Sequence, residues 1–143
     1  VSLAARVGDE LADFLRVALL WFGLSPAIRP LGDVVAAVPG VPTAPWWLSA
    51  AVAAVVVGWV NYAHPNASLL RVWLFGLLAA LFYVVARALS TSAAPAGGGS
   101  WRLVAVLAGC WVCAFASALA ITSRRARREL YDLVDPVARG RSD

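Results

Sequence analysis

The residues with the most chemical potential are two cysteines, one histidine and a run of arginines. Cys110-Trp111-Val112-Cys113 places two thiols three positions apart within an apolar stretch. On a helix that spacing brings both sulfurs near one face, where thiol–disulfide exchange is the available reaction. His64 is the sole histidine and precedes Pro65. A haem held by two histidines is therefore excluded within this chain, and no cofactor or metal is expected. A lone imidazole without nearby Cys, Asp or Glu does not build a zinc site, and the expected role is that of a turn residue. The third feature is Ser123-Arg124-Arg125-Ala126-Arg127-Arg128, four arginines in five positions directly after an uncharged run from Leu103 to Thr122.

The Cys-x-x-Cys pair resembles that of small four-helix membrane thiol oxidoreductases of the quinone-linked, disulfide-forming kind, which hold such a pair near the outer face. The resemblance implies a redox-active Cys110/Cys113. Those enzymes exchange disulfides with a second pair, and this chain has only two cysteines. The other reading is packing. Ala105, Gly109, Cys113 and Ser117 recur every four residues, with Cys110, Ala114 and Ala118 alongside. Such small-residue stripes let membrane helices approach closely, and buried cysteine usually behaves as a small hydrophobe. Ala50, Ala54 and Gly58 repeat the pattern earlier in the chain. The stripe holding Gly109 is expected to pack inside the protein, against Leu74, Phe75, Leu78 and Phe82, and the one holding Gly58 against a partner.

The elements that must carry these residues are membrane helices. Of 143 residues, 62% are hydrophobic and 14% charged, where soluble domains carry about 25% charged. Mean hydropathy is +0.77. Residues 46–63, 69–89 and 101–122 are apolar and 18–22 residues long, enough at ~1.5 Å per residue to reach or approach a ~30 Å hydrocarbon core. Arg71 and Arg87 lie near the ends of the second, where long side chains can reach the interface. Residues 1–28 read as an amphipathic helix (Leu3, Val7, Leu11, Phe14 and Leu15 against Arg6, Asp9, Glu10, Asp13 and Arg16) that becomes apolar all round. Their early acidic residues do not suit a cleavable signal. Pro26 and Pro30 are expected to break the helix, and residues 31–45 to form a helical turn and a Pro-rich connection. The expected fold is an all-α integral membrane protein, a small bundle with three transmembrane helices plus a fourth, N-terminal one, in a single membrane domain spanning 1–143.

Arginine distribution sets the expected orientation. With four crossings, Arg6, Arg16, Arg71 and the six arginines of the tail 123–143 face the cytoplasm, nine against three (Arg29, Arg87 and Arg102). With three crossings the count falls to seven against five. Four crossings with a cytoplasmic C-terminus are expected. Arg124, Arg125, Arg127 and Arg128 then serve orientation and contact with anionic lipid or a partner. Leu130, Leu133 and Val134 would give the tail an apolar side. The predominance of Ala, Val, Gly and Arg, without Lys, Met or Gln, points to a GC-rich, prokaryotic genome.

The three apolar helices carry no mid-membrane Asp, Glu, Lys, Arg or His, groups that ion pathways and coupled transport require. This counts against a pump or secondary transporter acting alone, and no catalytic constellation is evident. The function expected is a structural or accessory subunit of a larger membrane assembly, partnered by lipid and by other membrane subunits or copies of itself. The alternatives are the thiol oxidoreductase and a virion membrane protein whose basic tail touches nucleic acid. Glu129, Asp132 and Asp135 oppose phosphate in the last case.

Overall fold

A computed structural model describes residues 2–91 and 100–124. They form α1 (Leu3–Ile28), α2 (Pro30–Ala36), α3 (Trp46–Ala63), α4 (Leu69–Thr91) and α5 (Trp101–Thr122), with no strand among the described residues. Four of these helices are long and apolar enough to cross a membrane, α1 included. The protein is a small all-helical membrane bundle.

Local chemistry sets the helix ends. Ser2 caps α1 by accepting from the Ala5 N–H, and Ser100 caps α5 by accepting from the Leu103 N–H, each satisfying a donor that the first turn leaves free. Pro26 does not end α1, contrary to the expectation from sequence. It sits inside the helix, which continues to Ile28. Packing holds the helix through this point, with Leu24, Ala27 and Ile28 buried around the proline, and the Ser25 hydroxyl donates to the Trp21 carbonyl one turn back at 2.6 Å. Pro30 instead opens α2, a first-turn position where its missing N–H costs nothing. The C-terminal carbonyl of Ala27 accepts from the Trp111 indole of α5 at 2.7 Å. The middle of the Cys-x-x-Cys sequence thus ties α5 to the end of α1.

The packing order departs from the chain order. α3 and α4 are joined by a short turn but do not form a packed hairpin. Instead α1 packs on both of them, α4 packs on α5, and α2 lies against α5 and α3. The N-terminal helix is therefore the centre of the bundle. Its Leu20, Leu24, Ala27 and Ile28 are buried with Ala53 and Val57 of α3, Phe75 and Ala79 of α4, and Ala118 of α5.

α1 and α4 cross at two glycines. A Cβ on Gly76 would lie 1.8 Å from the Gly23 carbonyl oxygen, and one on Gly23 would lie 2.9 Å from the Trp73 ring. Backbone meets backbone there, the close approach that small residues permit in membranes. The Trp73 indole closes the crossing by donating to the Leu19 carbonyl at 3.0 Å.

Residues 2–15 are exposed throughout. This amphipathic half of α1 continues beyond the bundle for about 20 Å at ~1.5 Å per residue, with Leu3, Val7, Leu11 and Phe14 unburied.

Candidate functional site

Two polar clusters, one at each end of the bundle, hold the helices and shape what lies between them. At one end Arg16 reaches across from α1. Its Nε donates to Asn61 Oδ1 at 3.2 Å, and its Nη2 to the carbonyls of His64 and Ala67 at 3.4 and 3.5 Å. The guanidinium thus ties α1 to the α3–α4 turn, whose His64 carbonyl also accepts from the Ala67 N–H. His64 stands edge-on to Trp59, with ring centroids 5.6 Å apart. Arg124 follows the end of α5 and is exposed. Arg125, Arg127 and Arg128, and with them Leu130, Leu133 and Val134, lie outside the described residues.

At the other end Asp33 of α2 gathers two partners from α4. Its Oδ2 accepts from Tyr83 Oη at 3.0 Å and from Arg87 Nη1 at 2.6 Å. The Arg87–Asp33 ion pair is partly exposed, and it pins α2 over the end of the bundle. Reaching the interface is therefore only part of Arg87's role. A signal for this pair exists in the sequence: Asp33 is the only acidic residue between Asp13 and Glu129. A carboxylate alone among membrane helices needs a cation.

Between α1, α3 and α4 a groove of about 1000 Å³ opens beside this cluster. Because α3 and α4 stand apart, α1 forms its floor. Trp21, Phe22, Pro26, Ala50, Ala80 and Val84 supply apolar walls, and Arg29, Asp33, Arg87, Ser49 and Trp46 a polar rim. A second groove of about 800 Å³ lies at the opposite end, bounded by Trp59, the α3–α4 turn, Arg71 and Phe115.

The small-residue stripes fall differently from the expectation. On α5 the inward face is Leu107, Cys110, Ala114 and Ala118, the companion stripe. Ala105, Gly109, Cys113 and Ser117 are all exposed, and nothing lies within 4 Å of a Cβ placed on Gly109. The internal packing expected of Gly109 is thereby corrected. The two stripes differ by one position, ~100° of rotation, and the one carrying the lone large Leu107 turned inward. On α3, Ala54 and Gly58 are exposed and Ala50 is half-buried at the groove. A Cβ on Gly58 likewise meets nothing within 4 Å.

The cysteines separate in the same way. Cys110 is buried and Cys113 exposed, both as free thiols. Cys110 packs with Tyr83 and Ala114, and its sulfur lies 3.5 Å from the Ser90 hydroxyl.

The chain matches no protein-family model, no curated protein and no solved structure.

Proposed function

We propose that the chain is a structural or accessory subunit of a larger membrane assembly, acting through helix packing, with its arginine-rich C-terminus on the cytoplasmic side. The observation that carries this reading is the outward position of the ridge Ala105–Gly109–Cys113–Ser117, together with Ala54 and Gly58 on α3. In lipid a smooth face gains little, because acyl chains are as apolar as the side chains it lacks. Against another helix it permits close backbone approach. The folding of the bundle uses neither face, so both are available to a partner chain or to a second copy.

The orientation follows from arginine count. Arg16, the α3–α4 turn and Arg124 share one end of the bundle, beside the projecting half of α1. A basic end of this kind faces the cytoplasm and its anionic leaflet.

Purification in mild detergent tests the proposal. The wild type should run larger than a monomer, with a defined protein or further copies bound. Gly58→Leu and Gly109→Leu should each be folded, and at least one should release the partner. A lone monomeric wild type whose size neither substitution changes would end this reading.

A further inference from the structure

We propose that the groove between α1, α3 and α4 binds a single phospholipid with an anionic headgroup, its phosphate at Arg29 and one acyl chain along the apolar floor. Three observations carry the assignment, and none depends on the chain having a protein partner. The first is capacity. A volume of about 1000 Å³ stands at the upper end of the ~300–1,000 Å³ typical of small-molecule sites. Its walls are aromatic and aliphatic, with Trp21 and Phe22 on the floor and Val84 along one side.

The second is depth. The polar groups gather at one end only, beside Trp46, a residue that is 89% exposed. Tryptophan favours the level of the headgroups, since its ring is apolar with one polar handle. The groove therefore runs from headgroup level toward the middle of the bilayer, which is the profile of a lipid lying along the protein.

The third is charge. The rim holds Arg29, Arg87 and Asp33. Asp33 is committed to Arg87, and these two charges cancel. Arg29 adds one uncompensated positive charge, and among the described residues its side chain holds no ion pair or hydrogen bond. A guanidinium at the mouth of an apolar groove between membrane helices selects a phosphate-bearing headgroup with net negative charge. A zwitterionic headgroup places its own cation beside Arg29 and gains less.

The test is native mass spectrometry of the full-length protein released from an equal mixture of phosphatidylglycerol and phosphatidylcholine. One phosphatidylglycerol should be retained in preference. Arg29→Gln should lower its retention about fivefold, the factor expected for one arginine near an anionic group, and leave phosphatidylcholine unchanged. Val84→Trp, which adds bulk to an exposed position in the groove, should reduce both lipids. Equal retention of the two lipids by the wild type would overturn the proposal, as would Arg29→Gln retaining phosphatidylglycerol like the wild type. Arg29 is exposed, so this arm decides even if Val84→Trp folds poorly.

Discussion

Gly76→Ala should be among the most damaging single methyl additions in this protein. The added Cβ would lie 1.8 Å from the Gly23 carbonyl oxygen, whereas a relaxed carbon–oxygen contact is ~3.3–3.6 Å. The obstacle is backbone, so no side chain can swing aside. α1 and α4 must separate by about 1.5 Å locally to restore that contact distance. A gap of even ~0.5–1 Å forfeits a quarter to a half of each dispersion contact it opens. Leu20, Leu24, Phe75 and Ala79 surround the crossing, and the Trp73–Leu19 hydrogen bond spans it. Overpacking of this kind costs ~1–3 kcal/mol, and loss of the hydrogen bond adds ~1 kcal/mol. The expected destabilisation is about 3 kcal/mol, summed from these two contributions. Gly58→Ala is the matched control, because its Cβ meets nothing within 4 Å. It should be neutral or stabilise by up to ~1 kcal/mol through helix propensity. Denaturant-induced unfolding of both variants in one mild detergent provides the comparison. Stabilities within about 0.5 kcal/mol of each other, the usual scatter for innocuous surface changes, would refute the backbone crossing.

Two further outcomes follow from the same geometry. Cys110→Leu should destabilise by ~1–3 kcal/mol, since it overpacks the α4–α5 contact, while Cys113→Leu should leave folding stability within ~0.5 kcal/mol of wild type; unfolding in detergent reads both, and equal effects would contradict the inward position of Cys110. Single cysteines replacing Ser2, Ser92 and Ser142, on a Cys110→Ala/Cys113→Ala background, should react with an impermeant thiol reagent in intact cells only at position 92, and labelling at position 2 would show that α1 does not cross.

Much of the fold was legible from apolar run length. The runs 46–63 and 101–122 match α3 and α5, and 69–89 extends by two residues in α4. The N-terminal helix was harder to read, because Pro26 argues locally for a break. Burial of Leu24, Ala27 and Ile28 against α3 and α4 overrides that preference, and that packing is not visible along one segment. The four-residue stripes identified which helix faces are smooth. They could not tell which stripe turns inward, since adjacent stripes differ by a single rotation that the packing of α5 on α4, α2 and the end of α1 decides. Gly23 and Gly76 belong to no stripe. Their importance comes from meeting across 53 positions of sequence. The polar clusters were half legible: Asp33 advertises its need for a cation, but nothing local says that Arg87 supplies it. Arg16 read only as part of the polar side of an amphipathic helix, whereas its guanidinium reaches the carbonyls of the α3–α4 turn.

The central claim is that the smooth outer ridge of α5 meets protein and not lipid. A photoreactive amino acid at Val112, which borders the ridge and is exposed, tests it in intact membranes. The same residue placed at Leu81, exposed on α4 away from the ridge, is the control. Irradiation should give a discrete protein adduct from position 112 and only lipid adducts from position 81. Lipid adducts alone from both positions would contradict the account.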